Sequence, residues 1–169
     1  MTRQSDHGRD ARGGALGARL RRLSERLDRD STRVYSALGI HFEQRWFGLL
    51  NQILLNGPMT VTDIAAALRV SHVSVSQSRR ALEAAGLVDS LNDQNDARRR
   101  LIHLTPKGQA LVIDLAPLWQ ALADSAEELN AEAGNIVTLL DLLDDALDNQ
   151  SLFDRAIHRI KTSVTHQQA

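Results

Sequence analysis

Cysteine is absent from the 169 residues, which leaves no disulfide framework, no thiolate metal site and no thiol redox sensor, a profile that fits a reducing cytoplasm. Long apolar runs are absent too. No stretch approaches the ~20 residues of a membrane span, and residues 1–17 hold no apolar core of signal-peptide length, so a soluble cytoplasmic protein with no membrane partner is expected. The sequence also lacks a glycine-rich phosphate loop, an activated-nucleophile motif and a histidine-flanked carboxylate pair, and nothing supports an enzyme. Ser74-Val75-Ser76 has no flanking glycines and is not a nucleophile elbow. Among the six histidines, His41, His72, His103 and His158 show no short ligand spacing, and no metal or other cofactor is expected.

What is present suits an ordinary globular chain, with 43% hydrophobic residues and a formal net charge of −1. Taken alone, that charge argues against a nucleic-acid partner, because phosphate neutralisation supplies much of the affinity. Its distribution argues the other way. Residues 1–33 hold nine arginines against five acids, and residues 69–107 seven basic residues against four acids, whereas residues 108–154 hold ten acids and no Lys or Arg.

Residues 1–15 begin with an Arg-, Asp- and Gly-rich stretch that reads as a disordered arm. Residues 16–58 carry two amphipathic helices. Leu16, Leu20, Leu23, Leu27, Val34 and Leu38 recur at helical spacing up to Gly39; Phe42, Trp46, Leu49, Leu50, Ile53 and Leu54 mark a second helix, stopped by Asn56-Gly57-Pro58. Thr60 followed by Asp63 is a capping signal for a short Ala-rich helix, and Ser71 caps another that runs to about Ala85, with Gly86 as its stop. Two short helices so arranged make a helix-turn-helix. Leu87–Leu91 and Arg99–Leu104, separated by a polar loop, predict a β-hairpin directly behind the second helix, which is a wing. Thr105-Pro106 opens a further helix with a kink expected at Pro117, and residues 136 to about 164 form the last helical region.

With these elements in place, residues 59–108, MTVTDIAAALRVSHVSVSQSRRALEAAGLVDSLNDQNDARRRLIHLTPKG, resemble the winged helix of the MarR family, including its Asp-x-Arg wing motif (Asp96, Arg98) and its Leu-Thr-x-x-Gly exit (Leu104, Thr105, Gly108). The resemblance implies a mainly α fold with a small β-wing, in which a winged helix-turn-helix (59–108) is flanked by N-terminal helices (16–58) and C-terminal dimerisation helices (109–169). It further implies a homodimer on palindromic double-stranded DNA, usually as a repressor, and a small aromatic or anionic effector. Ser78 and Arg79 depart from the family pattern, which is apolar there.

At about 100° per residue, Val75, Ser78 and Leu82 share the core face of the second helix, with Arg79 at its margin. Val73, Gln77 and Arg80 lie opposite, beside Ser74 and Ser76, and should enter the major groove; Gln pairs with adenine, Arg with guanine or a phosphate, and Val73 can touch a thymine methyl. Ser71 and His72 open that helix, His72 either touching a phosphate or sitting free on the surface. The resemblance places Arg98 in the minor groove, oriented by Asp96. Arg99 and Arg100 supply either phosphate contacts or a solvated strand edge. Tyr35, His41, Phe42, Trp46 and Trp119 are candidates for an effector pocket or for plain core. The competing function is a protein-interaction winged helix without DNA binding, which the net charge favours.

Overall fold

The computed structural model describes residues 12–92 and 99–167. Most of the N-terminal arm and both Asp96 and Arg98 therefore lie outside the described residues. After a 3-10 turn, Arg12–Ala15, come α1 (Leu16–Ala37), α2 (Gln44–Asn56), α3 (Val61–Leu68), α4 (His72–Ala84), β1 (Val88–Asn92), β2 (Arg100–Leu104), α5 (Pro106–Glu132), α6 (Ile136–Asn149) and α7 (Leu152–Gln167). This is the mainly α architecture with one small antiparallel sheet that the sequence predicts. The chain divides into two compact units, Met1–Ala116 and Pro117–Ala169.

In the first unit, the apolar faces of the short helices converge with the sheet. Leu49, Leu50 and Ile53 of α2, Ile64 and Ala65 of α3, Val75 and Leu82 of α4, and Ile102 of β2 are all buried, together with Leu87, Val88, Val112 and Leu115. The hairpin pairs Val88 with Leu104 and Asn92 with Arg100, and alternation along it turns Val88 and Ile102 inward. Met59, just before α3, exchanges both backbone hydrogen bonds with Ile102 (3.1 and 2.8 Å). The approach to the helix-turn-helix is thereby sewn to the second wing strand.

Two elements differ from the sequence reading. The second helix begins at Gln44 and not at Phe42, because Gly39 turns the chain at φ 68° and Phe42 packs against Tyr35, ring centroids 4.9 Å apart, ahead of the helix. The last helical region is two helices. Gln150 is extended, Ser151 accepts from the Asp154 N–H (3.1 Å) and opens α7, while the Arg155 guanidinium donates to the carbonyls of Gln150 (2.9 Å) and Ala146 (2.8 Å) and closes α6. Pro117 lies inside α5, which is one helix in its assigned range.

The second unit buries little of its own. Among the described residues, no apolar side chain beyond Leu115 belongs to the core, while Leu139, Leu142, Leu147, Phe153 and Ile160 are exposed. On α1 the stripe Leu16, Leu20, Leu23 and Leu27 is likewise exposed, Leu27 at 56%. No helix among the described residues is long and apolar enough to cross a membrane.

Candidate nucleic-acid interface

Local chemistry fixes where α4 starts and which way it faces. The Ser71 side chain accepts from the Ser74 N–H (3.1 Å), satisfying one of the free donors at the helix start, an arrangement worth about 1 kcal/mol. The preceding turn places Arg69 in the left-handed region, φ 51°, which ends α3. Val75, Ser78 and Leu82 point into the core. Ser78 is accommodated there because its hydroxyl donates to the Arg45 carbonyl of α2 (3.4 Å), so a polar group sits where the family pattern has an apolar one without being stranded. Arg79 is half-buried and pairs through Nη1 with Glu83 (2.9 Å).

With that face committed inward, the opposite one is open. Val73 is 65% exposed, and His72, Gln77 and Arg80 are exposed, with Ser76 at the margin. Among the described residues, the side chains of Val73, Gln77 and Arg80 form no hydrogen bond or ion pair with the rest of the chain. Ser71 and Ser74 bond to each other and to the local backbone. Arg100 starts β2 and is exposed. Arg99 is engaged: its Nη2 lies 3.1 Å from Asp63 Oδ2.

That carboxylate belongs to the cap of α3. Thr60 Oγ1 accepts from the Asp63 N–H (3.1 Å) and donates to Asp63 Oδ2 (2.8 Å). The Thr60 hydroxyl above all, then the Thr60 backbone and the Arg99 guanidinium, hold the Asp63 carboxyl below its ordinary value near 3.8, although burial, second in size only to the Thr60 hydroxyl, opposes them. A depressed folded-state pKa means that the stabilisation is fully present above the unfolded value and is lost as pH falls through the folded one. The stability gap between the wild type and Asp63→Asn is expected to narrow as urea midpoints are taken from about pH 6 down to about pH 3. A gap that stays constant would refute the assignment.

The first turn of α5 closes the site from behind. Thr105 donates through its hydroxyl to the Gly86 carbonyl (2.7 Å) and through its N–H to the Leu87 carbonyl (3.1 Å). It also accepts from the Gly108 N–H (3.1 Å), while Lys107 Nζ donates to the Ala85 carbonyl (2.7 Å) at the end of α4. The Leu-Thr-x-x-Gly sequence is thus a fastening between α5 and the carboxyl end of α4.

Tyr35 and Phe42 are core, and Phe42 meets Trp46 edge to face at 5.7 Å. The Tyr35 hydroxyl donates to Gln44 (3.1 Å), and Trp46 Nε1 is a buried donor with no hydrogen bond among the described residues. His41 is exposed, and Trp119 belongs to the second unit. Elsewhere in the first unit, a cavity of about 500 Å³ is lined by residues that include Ile53, Leu54, Pro58, His103 and Ile113. No group of three potential metal ligands occurs among the described residues.

Residues 38–99 match the model of the MarR family. Over that stretch the chain is similar to the MarR family. A protein assigned to transcriptional regulation of the hcr operon in Thauera aromatica is 33% identical over 96 residues, 56% of this chain and 58% of that protein; the present chain thus spans little more than half of that curated relative. Among solved structures, a cysteine-to-serine mutant of MarR from E. coli complexed with operator DNA matches at TM-score 0.64 and 25% identity, covering 85% of this chain and 99% of the other. BpsR from Bordetella bronchiseptica, whose DNA binding is regulated by 6-hydroxynicotinic acid, matches at TM-score 0.63 and 25% identity over 77% and 93% of the two chains. The MarR-type wing-tip residues sought in the sequence, Asp96 and Arg98, fall outside the described residues. The reading of single residues missed the pairing of Arg99 with Asp63, which joins positions 36 apart and has no local signal.

Proposed function

We propose that the chain is a sequence-specific DNA-binding transcriptional regulator, a repressor by promoter occlusion, that acts as a homodimer on a pseudo-palindromic duplex. The observation that carries this reading is the outward face of α4: a capped helix beside a wing, presenting Val73, Gln77 and Arg80 with no internal partners among the described residues. A helix so presented fits the major groove, and two of them would sit about 34 Å apart, one turn of DNA. Ser71, His72, Ser74 and Ser76 border that face and, with Arg100, would add contacts to bases or phosphates. Arg98, oriented by Asp96, is assigned to the minor groove. The operator complex of the E. coli relative supports the same docking. Selection of bound duplexes from a random pool tests the reading directly; it expects a recovered inverted repeat, and recovery of no sequence preference at low salt would overturn it.

Homodimerisation is supported by the exposed leucines of α1 and the uncovered apolar faces of the second unit, which a single chain leaves in water. Charge adds to this, since the α1 arginines Arg19, Arg21, Arg22, Arg26 and Arg29 complement the acidic block between residues 108 and 154. Leu23→Asp together with Leu27→Asp is expected to shift sedimentation equilibrium from dimer to monomer, and high salt to weaken the wild-type dimer. A double variant that stays dimeric would remove α1 from the interface.

Release by a small aromatic or anionic effector belongs to the same reading. It is supported by the regulation of BpsR by 6-hydroxynicotinic acid and by the unsatisfied buried donor Trp46 Nε1 beside Phe42, which in turn packs on Tyr35; His41 is the further candidate of the same unit.

A further inference from the structure

Two carboxylates near the reading face are turned toward the wing. Glu83, on the last turn of α4, accepts from Ser90 Oγ of β1 (2.7 Å) while also holding Arg79 (2.9 Å). Asp63, in the first turn of α3, accepts from Arg99, the residue just before β2 (3.1 Å). Each wing strand is therefore tied by a side chain to a different helix of the helix-turn-helix. We propose that Glu83 and Asp63 are positioning residues that set the wing strands at a defined height and angle over α4, so that the reading helix and the wing reach one duplex together.

This rests on the DNA-binding reading above. The sign of a simple electrostatic effect separates it from the bland alternative. A carboxylate beside a phosphate-binding surface repels the duplex, so neutralising it should raise affinity if the acid does nothing else. Freed from Asp63, Arg99 would also gain a phosphate and steepen the salt dependence by about one ion. Positioning requires the opposite: the neutral variant loses the tie, the wing wanders, and affinity falls. The two ties differ in exposure. The Glu83 side chain is 30% exposed and its wing partner Ser90 is half-buried, whereas the Arg99 and Asp63 side chains are 50% and 47% exposed. The Glu83 tie is less screened by solvent and should count for more.

The test uses the full chain. Glu83→Gln, Asp63→Asn and Arg99→Gln are made singly and with Arg98→Ala, and binding to the selected duplex is measured across a salt series; Arg99→Gln leaves the Thr60–Asp63 cap intact. The expected result is a loss of roughly three- to tenfold for Glu83→Gln and a smaller loss for Asp63→Asn. The Arg98→Ala penalty is expected to shrink severalfold in each tie-free background, as coupled residues do. Affinity that rises or holds in the two neutralised acids, with an undiminished Arg98→Ala penalty, overturns the proposal. Hydrogen exchange on the free protein gives a second arm. Amides of β1 and β2 should exchange faster in Glu83→Gln and Arg99→Gln while those of α2 do not change, and unchanged wing exchange overturns the proposal as well. If the wild type binds no duplex, the DNA-binding reading fails by itself, and the exchange arm still decides whether the ties hold the wing.

Discussion

Gly108→Ala is expected to cost at least about 3 kcal/mol and to lower the melting temperature by roughly 6–12 °C. A methyl group on Gly108 would stand 2.0 Å from the Leu87 carbonyl oxygen and 3.0 Å from its carbon. That carbonyl cannot easily retreat. Leu87 donates to Leu82 (2.9 Å), and the same carbonyl accepts from Thr105 (3.1 Å). Helix propensity alone predicts the reverse, because alanine is about 1 kcal/mol better than glycine inside a helix; at this position the clash outweighs it. Gly17 of α1 is the matched control, with nothing within 4 Å of an added methyl, and Gly17→Ala should be neutral or slightly stabilising. Differential scanning calorimetry of both variants decides the matter. A Gly108→Ala protein that melts at or above the wild-type temperature would show that α5 does not pack on the Leu87 carbonyl as described.

The second large effect concerns DNA. Gln77→Ala and Arg80→Ala should each weaken binding to the selected duplex by about 1–3 kcal/mol, roughly 5- to 150-fold, while leaving folding within about 0.5 kcal/mol of wild type. The way each fails is informative. If Gln77 reads a base, its removal should relax preference at one position of the half-site, whereas if Arg80 grips a phosphate, its removal should weaken all duplexes alike and reduce the salt slope by about one. If both variants bind like the wild type, the outward face of α4 is not the reading surface.

The parts of this structure that could be anticipated are those written in neighbouring residues. Thr60 with Asp63 and Ser71 with Ser74 are caps formed within three positions, and the inward set Val75, Ser78 and Leu82 follows from helical period alone. The break between α6 and α7 carries the same kind of local signal, Ser151 ahead of Asp154, but the apolar spacing that continues from Leu147 to Ile157 conceals it. What the chain order hides is the meeting of distant segments. Ser78 is tolerable in the core only because the Arg45 carbonyl, 33 positions away, accepts its proton. Arg99 reads as a surface arginine until α3 brings Asp63 beside it. Among the candidate interface residues, Ser71, His72, Val73, Ser74, Gln77 and Arg80 come out on one exposed stretch of α4, and Arg99 is drawn into a tie.

The outward side chains of α4 contribute nothing to holding the chain together, which makes them interchangeable at little cost to the fold. Val73, Gln77 and Arg80 can be randomised as a library while Val75, Ser78 and Leu82 are kept, and most members should still express and melt like the parent. A protein built this way writes its scaffold and this outward face in separate letters, so the face can be rewritten without redrawing the fold.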